Sequence, residues 1–511
     1  MIGVSGQIID MQPTPHTKQL LAIIFICCVC ALFFSFDLHA SSAETKKLKA
    51  SLARIVEDKA FQSAHIGISI ISTKNGQSLF QYNAQKRFVS ASNMKLFTSA
   101  AALLYLSPDF TYETKVLTDG TITGGTLKGN LIIAASGDPT ISGYFNKNNP
   151  TQVFEDWADT LMQKGINAIT GDIIVDNRYF NDNPLGAGWH WDDVDHCFSA
   201  PIDAFSFNNN CIALTISPGT QANSPAKVEV EPKTAYVTVL PAVTTGDKNS
   251  DMDIKAEYAG NAKTILLSGA IPVNHGSTVR YIAAKNPAAF GAFVFKEILL
   301  SKGMEVNGKL YYTREGCNEV KDLDTSSANT LLAVYRSPKL SEIINVINKL
   351  SNNLYTENLF LTIGKEKKKE GNAQEAALAV REILTKAGVN LEGFYMADGS
   401  GLSRFNLITP QNTVQLLGIM AQNHYFDVFY NSLAAPDAEG TLKNWKGGVT
   451  SSIKAKTGTM THVRNLSGYV RTKDGELLAF SFLCNNHDIP KAVIDGLYNN
   501  ILTKLTSFSR K

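Results

Sequence analysis

The sequence predicts an α+β protein in which a domain made of one sheet and its covering helices is interrupted by a long insertion. Strand patterns lie near both ends of the chain, at His65–Ser72 and at residues 477–484. Short strands and Gly-rich turns begin near residue 111, and helical periodicity returns from about residue 286. Because sheet segments stand at both ends and the foreign region follows the first long helix, we expect one domain that the chain leaves and re-enters.

Length and composition set the broad class of the protein. A chain of 511 residues implies about two to four domains. Hydrophobic residues make up 44% and charged residues 18%, which is typical of an ordinary globular protein. The formal net charge of +2 is too small for the strongly basic surface of a nucleic-acid binder, so nucleic acid is not an expected partner.

The N-terminus predicts export. Residues 20–36 form an uncharged apolar run, and Leu38-His39-Ala40-Ser41 follows it as a small-residue cleavage site. We therefore expect a signal peptide over residues 1–40, although translation could instead begin at Met11. The alternative is an uncleaved anchor that would associate the protein with the membrane, because the run could just span a thinned bilayer.

The cysteines that follow residue 40 fit an exported chain. Cys197 and Cys211 flank a short segment, so we expect a local disulfide between them. Cys317 and Cys484 are far apart in sequence and are expected to be buried thiols. No Cys/His cluster has metal-ligand spacing, so the sequence predicts neither a metal nor a cofactor.

The first elements lead to a candidate nucleophile. A helical start at residues 46–59 precedes a hairpin whose strands are His65–Ser72 and Ser78–Tyr82. An Ala- and Leu-rich helix then begins at or near Ser92. Lys95 lies three residues on, so it shares a helix face with Ser92 and can act as its base. The alternative is a simple helix cap, and Ser-x-x-Lys also occurs at residues 224–227 and 451–454.

The insertion and the C-terminal region follow in order. Strands are expected at residues 111–117, 126–134 and 171–175, with a helix at 152–164 and a small all-β unit from 211 to about 271. The aromatic and acidic cluster at residues 188–201 is expected to pack a seam between domains. Later, Ser351-Asn352-Asn353 stands at a helix-to-helix corner, where the alternative role of Ser351 is an N-cap. The chain ends with strands at 452–459, 465–471 and 477–484 and a helix at 490–505.

Three motifs in this order resemble those of a known family. Ser92-Asn93-Met94-Lys95, Ser351-Asn352-Asn353 and Lys456-Thr457-Gly458 are similar to the set found in penicillin-binding proteins and serine β-lactamases. The insertion between the first two motifs resembles that of the class C low-molecular-mass penicillin-binding proteins, which are D-alanyl-D-alanine carboxypeptidases and endopeptidases. Asp398-Gly399-Ser400-Gly401 agrees with this resemblance. Ser90 and Thr461 depart from it, since the family usually has a proline and some relatives a longer polar residue there.

The resemblance implies a domain plan and a cellular role. A penicillin-binding, β-lactamase-like serine transpeptidase domain would be interrupted by two mostly-β domains. The implied bounds are 41–110 and 318–511 for the penicillin-binding domain, 111–205 and 274–317 for inserted domain II, and 206–273 for inserted domain III. The expected enzyme is a periplasmic serine DD-peptidase that acts on peptidoglycan stem peptides and cross-links through an acyl-enzyme on Ser92, and that binds β-lactams.

The resemblance also assigns roles to the motif residues. Lys95 would take the Ser92 proton and must be neutral, so burial and the ammonium of Lys456 would lower its pKa. Ser351 would relay a proton to the leaving amine. The remaining expected contacts are the substrate amide on Asn353, the terminal carboxylate on Lys456 and Thr457, close substrate approach at Gly458, and the oxyanion on the backbone N–H groups of Ser92 and Thr459.

A side-chain pocket beside the nucleophile is implied as well. If the stem peptide carries meso-diaminopimelate, Asp193 would hold its ammonium, Phe198 would flank its aliphatic stem, and Arg404 would bind its carboxylate. The alternative is an ion pair between Asp193 and Arg404 across a domain seam. Thr461 is too short to replace a long amide in such a pocket.

Two other functions remain as alternatives. A serine β-lactamase shares the three motifs but needs a base to activate the deacylating water, and the resemblance supplies no acidic residue for that role. A non-catalytic wall-binding protein could keep the fold, although it would have little reason to keep every motif residue. The sequence predicts no particular oligomeric state.

Overall fold

The structure is a computed structural model and describes residues 43–313, 330–445, 447 and 452–510. The predicted signal peptide, Cys317 and Ser451 lie outside the described residues. The helices longer than one turn are α1 (43–56), α2 (Met94–Leu106), α3 (Gln152–Gln163), α4 (Pro287–Ser301), α5 (Leu340–Lys349), α6 (Asn353–Lys368), α7 (Ala373–Lys386), α8 (Pro410–Ala421), α9 (Phe426–Ser432) and α10 (Lys491–Ser507).

The strands are β1 (His65–Ser72), β2 (Ser78–Tyr82), β3 (Phe88–Val89), β4 (Glu113–Thr118), β5 (Thr121–Thr123), β6 (Thr126–Lys128), β7 (Leu131–Ala134), β8 (Ala168–Ile169), β9 (Ile173–Asp176), β10 (Cys211–Ser217), β11 (Lys227–Glu231), β12 (Thr238–Gly246), β13 (Asp253–Tyr258), β14 (Thr264–Pro272), β15 (Thr278–Ala283), β16 (Glu305–Val306), β17 (Leu310–Tyr312), β18 (Thr330–Arg336), β19 (Leu407–Ile408), β20 (Ile453–Met460), β21 (Val463–Arg471) and β22 (Leu477–Asn485). This mixture of sheets and helices confirms the predicted α+β class.

The first and last strands of the chain meet in one five-stranded sheet. Its order is β2-β1-β22-β21-β20, and all its neighbours are antiparallel. Ile68 pairs with Phe482 at its centre. Successive residues of a strand point to opposite faces, and both faces of this sheet are buried against helices. Ile68 and Phe482 pack towards α1 and α10, whereas Tyr469 and Leu483 pack with α2, α6 and α8.

Within the described residues, the intervening region builds four further sheets of three to five strands. Their orders are β17-β9-β7-β4-β18, β16-β8-β6-β5, β11-β10-β15 and β12-β14-β13, and a shared hydrophobic core with α3 and α4 joins them. The segment predicted as one strand over 126–134 is divided into β6 and β7. The break falls at Gly129, whose φ of +155° and contact with Gly120 exclude a side chain.

One predicted domain boundary differs from the observed pairing. β18 lies after residue 317 and was assigned to the penicillin-binding domain, yet it pairs with β4 in a sheet of the insertion. Hydrogen bonding between strands more than two hundred residues apart cannot be seen in local sequence patterns. The other domain boundaries stay predictions. Over the described part of the chain, every helix is too short or too polar to cross a membrane.

Candidate active site

Ser92 lies in a strained turn at the start of α2. Residues Ala91–Asn93 form one turn of 3₁₀ helix that continues into α2, as the sequence predicted. Ala91 has a φ of +41°, which is unfavourable for a residue with a side chain. Gly401 supports this turn, because a Cβ there would lie 1.8 Å from the Ala91 carbonyl oxygen. The turn places the Ser92 hydroxyl at the N-terminus of a long buried helix.

Lys95 is fully buried beneath Ser92 and has three polar contacts. Its Nζ lies 3.1 Å from Ser92 Oγ, 2.6 Å from Asn353 Oδ1 and 2.7 Å from the Ser400 carbonyl oxygen. The last two oxygens only accept hydrogen bonds. A neutral amine would therefore donate its two N–H groups to them and direct its lone pair at the Ser92 hydroxyl, which is the geometry a general base needs.

The surroundings of Lys95 make the neutral form accessible. Burial lowers the pKa of Lys95 from its usual 10.5 to about 7, although the nearby Glu357 and Asp398 charges raise it. The predicted repulsion between the two lysine charges lowers the pKa of Lys456 rather than that of Lys95. Burial first, then the Lys95 charge and then Arg464, hold the pKa of Lys456 well below its usual range.

Ser351 faces Lys456 from the corner between α5 and α6. Its Oγ accepts a hydrogen bond from Lys456 Nζ at 2.9 Å, and its backbone has a φ of +62°. The alternative role of Ser351 as a helix N-cap is wrong. Asn352 is the cap residue of α6, because its Oδ1 accepts from the Tyr355 N–H at 3.0 Å.

Asn353 connects Lys95 on α2 to the insertion. Its Oδ1 is held by Lys95, and its Nδ2 donates to the Phe198 carbonyl oxygen at 2.6 Å. Both ends of the amide thus contact protein atoms. The expected contact between Asn353 and a substrate amide stays a prediction.

β20 is an edge strand of the five-stranded sheet, which we call the catalytic sheet, and it carries the third motif. The Ala455 N–H donates to Ala434 on the side away from β21. Because strand N–H groups alternate in direction, those of Thr457 and Thr459 point to the same outer side. The Thr457 hydroxyl bonds to Thr441 at 2.9 Å, and exposed Thr459 accepts from Arg464 at 2.6 Å.

β20 packs directly on the nucleophile turn. The Asn93 side chain donates to the Lys456 carbonyl oxygen at 3.1 Å. A Cβ on Gly458 would lie 3.0 Å from Asn93 Nδ2 and 3.2 Å from the Ala91 Cβ. The glycine therefore permits contact between two parts of the protein, and its predicted role of admitting substrate backbone stays a prediction. The predicted oxyanion site at the N–H groups of Ser92 and Thr459 stays a prediction.

The residues of the predicted side-chain pocket lie on two neighbouring segments. Asp193 ends a 3₁₀ turn, and the Phe198 ring, 48% exposed, stacks on His196. Arg404 donates to His190 Nε2 at 3.1 Å and to the Thr461 carbonyl oxygen at 2.8 Å. Both ends of the proposed ion pair are described, and no salt bridge joins Asp193 to Arg404, so that alternative is wrong.

A disulfide fixes the segment that carries Phe198. It joins Cys197 to Cys211 with a Cα–Cα distance of 5.9 Å. Cys484 is a buried free thiol in β22. No group of three or more His, Cys, Asp or Glu side chains within the described ranges could hold a metal ion.

Sequence reasoning did not assign a role to the carboxylates beneath the site. Asp398 accepts hydrogen bonds from the Gly401 and Ser403 N–H groups and from Trp189 Nε1. Its Asp-Gly-Ser-Gly run could have marked it as a tight turn. Glu357 lies one helical turn after Asn353, and no local pattern distinguishes it from a surface glutamate.

Comparisons with known proteins agree over most of the chain. The sequence signature described as the D-Ala-D-Ala carboxypeptidase 3 (S13) family matches residues 48–499. A D-alanyl-D-alanine carboxypeptidase of Actinomadura sp. (strain R39) is 30% identical over 473 residues, which cover 90% of this chain and 85% of that protein.

Solved structures give a similar result. The crystal structure of penicillin binding protein 4 (dacB) from Haemophilus influenzae superimposes with a TM-score of 0.76 at 26% identity, covering 89% of this chain and 99% of that one. The same protein complexed with a β-lactam gives a TM-score of 0.72 at 24% identity and covers 90% and 99%. The latter likeness concerns the fold alone.

Proposed function

Because this chain belongs to the D-Ala-D-Ala carboxypeptidase 3 (S13) family, we propose that it hydrolyses D-alanyl-D-alanine ends and cross-links of peptidoglycan stem peptides through an acyl-enzyme on Ser92. The family match confirms the predicted family and its enzyme class, a serine-type D-Ala-D-Ala carboxypeptidase. The observation that carries the mechanism is the buried Lys95 Nζ, 3.1 Å from Ser92 Oγ.

In the acylation step Lys95 removes the Ser92 hydroxyl proton as Oγ attacks the carbonyl carbon of the penultimate D-alanine. The C–N bond to the leaving amine then breaks. The proton reaches the leaving nitrogen through the Ser351 hydroxyl, which Lys456 contacts at 2.9 Å. Water later attacks the ester carbon, the bond to Oγ breaks, and Ser92 recovers its proton.

The outer side of β20 would bind the substrate as an added strand. The outward N–H groups of Thr457 and Thr459 support this proposal, because an extended peptide pairs with such groups. Lys456 and Thr457 would bind the terminal carboxylate, and the Thr459 N–H would join that of Ser92 in stabilising the oxyanion.

Export to the periplasm is also part of the proposal. It follows from the apolar run at residues 20–36 and from the location of peptidoglycan, the expected substrate. β-Lactams would react at the same serine, because the H. influenzae relative is a penicillin-binding protein.

We expect the purified protein to release D-alanine from a stem pentapeptide and to form a lasting adduct with labelled penicillin. The adduct should persist because the resemblance to serine β-lactamases supplies no acidic residue that would activate a deacylating water. D-Alanine release and intact-protein mass measured over time are the tests. Rapid turnover of penicillin would favour the β-lactamase alternative, and no reaction with either compound would favour a non-catalytic wall-binding protein. Cross-linked muropeptides assayed alongside would measure the endopeptidase share.

Replacing Arg404 with alanine should lower kcat/KM for diaminopimelate peptides by about 30-fold more than for lysine peptides. Only the former carry the distal carboxylate that the guanidinium would bind. Parallel assays on the two peptides measure the effect, and exposed Arg471, replaced in the same way, is the control. Equal losses on both substrates would mean that Arg404 supports the fold, through His190 and Thr461, and that the pocket lies elsewhere.

A further inference from the structure

Glu357 is a buried carboxylate that the proposed mechanism leaves without a role. It is 2% exposed and lies on α6, four residues after Asn353. Its Oε2 accepts from the Gly399 N–H at 3.0 Å, and its Oε1 accepts from the Ser400 N–H at 2.7 Å. Two parallel N–H donors on one carboxylate fix both the position and the orientation of the peptide segment that carries them.

The same segment places a carbonyl group in contact with the proposed general base, Lys95. The Ser400 carbonyl oxygen accepts from Lys95 Nζ at 2.7 Å. On the opposite side Thr98 Oγ1, from α2, donates to the Gly399 carbonyl oxygen at 2.7 Å. Gly399 also packs against α6 so closely that a Cβ would lie 2.4 Å from the Phe360 Cβ. The segment is thus clamped between the two helices that carry the catalytic residues.

We propose that Glu357 is a positioning residue for the general base: its side chain, through the Gly399 and Ser400 N–H groups, holds the Ser400 carbonyl group on Lys95. The proposal deepens the proposed function and rests on it. With the Ser400 carbonyl and Asn353 Oδ1 both fixed, the lone pair of neutral Lys95 has one remaining direction, towards Ser92.

The charges around Glu357 agree with this role. Two charged groups face Glu357. They are Asp398, in the loop that carries Gly399 and Ser400, and Lys95 on α2. Burial, and after it the Asp398 charge, raise the pKa of Glu357 to about 8. In turn Glu357 and Asp398 raise the pKa of Lys95 against the larger effect of burial. Because a carboxyl group with a pKa of about 8 is mostly protonated at neutral pH, Glu357 acts on Lys95 through position more than through charge.

Two substitutions test this contact. Glu357→Gln keeps the length of the side chain but turns an NH₂ group towards a backbone N–H, and Glu357→Asp retracts the carboxyl group by one methylene. In both variants we expect the maximal rate of penicillin acylation to fall by about 10- to 100-fold. The penicillin concentration that gives half of that rate should stay unchanged, because the residues that bind the substrate are untouched.

Acylation by labelled penicillin, followed by intact mass at several penicillin concentrations, is the measurement, with thermal unfolding to check the fold. Glu382→Gln, an exposed glutamate on α7, is the matched control. A loss of rate accompanied by weaker penicillin binding and a lower unfolding temperature would reduce Glu357 to a purely structural residue, and unchanged rates would overturn the proposal. If Glu357→Gln does not fold, a Glu357→Asp protein that acylates at the wild-type rate still overturns it. Failure of the wild-type protein to acylate would instead reject the proposed function.

Discussion

Ser92→Ala is expected to abolish the penicillin adduct and to lower D-alanine release by roughly 10⁴-fold or more. The alanine side chain has no oxygen to attack the carbonyl carbon, while the rest of the site stays in place. The fold should survive, because Ser92 is only partly buried and the turn is held by Gly401 and Gly458. Intact-protein mass spectrometry after incubation with labelled penicillin measures the adduct.

The chain provides a matched control for this experiment. Ser224 also precedes a lysine by three positions, but it lies in the insertion and donates to the Gln221 carbonyl oxygen. Ser224→Ala should therefore acylate like the wild type. An adduct of unchanged mass on the Ser92→Ala protein would place the nucleophile elsewhere.

The acylation rate of the wild-type protein should rise with pH through about 7, where Lys95 loses its proton. Only the neutral amine can accept the Ser92 proton, so below this pKa the rate should fall about tenfold for each pH unit. Lys95→Arg keeps a positive charge that does not titrate in this range. We expect it to lower acylation by about 10³-fold at neutral pH and to remove the acidic limb.

Stopped-flow acylation between pH 5 and 9 measures both effects. Lys454→Arg is the control, since Lys454 lies on β20, two residues before Lys456, and its Nζ contacts Asn431 instead of the nucleophile. A wild-type rate that stays flat from pH 5 to 9 would contradict the role of Lys95 as the base.

Local sequence patterns predicted the elements that carry the site, because helices and strands are encoded over a few residues. The Ala-rich run at α2 and the alternation in β20 to β22 placed Ser92 and Lys456 on the correct elements. The order of the three motifs indicated their chemistry. What these patterns could not supply was distance, such as the 2.9 Å between Ser351 and Lys456 across 105 residues of chain.

The failures have specific physical causes. Ser351 was weighed as the cap of α6, but one residue of left-handed backbone moves that role to Asn352. The contact of Gly458 with Ala91 and Asn93 was not foreseen, because these residues lie more than three hundred positions earlier in the chain. No local sequence pattern distinguishes Glu357 from an exposed helix glutamate. Its burial depends on the loop that carries Gly399 and Ser400, which is distant in sequence.

Because β1 pairs with β22, the five-stranded sheet can be completed only after β22 has been synthesised. β1 emerges early, yet its partner on one side begins at Leu477, more than four hundred residues later. Loop closure over so long a separation is slow, and the intervening region has its own hydrophobic core and can fold first. Lys456 is also synthesised more than three hundred residues after Ser92 and Lys95. A nascent or C-terminally truncated chain therefore carries Ser92 and Lys95 but no complete catalytic sheet, so hydrolytic activity appears only after the last strands have been made.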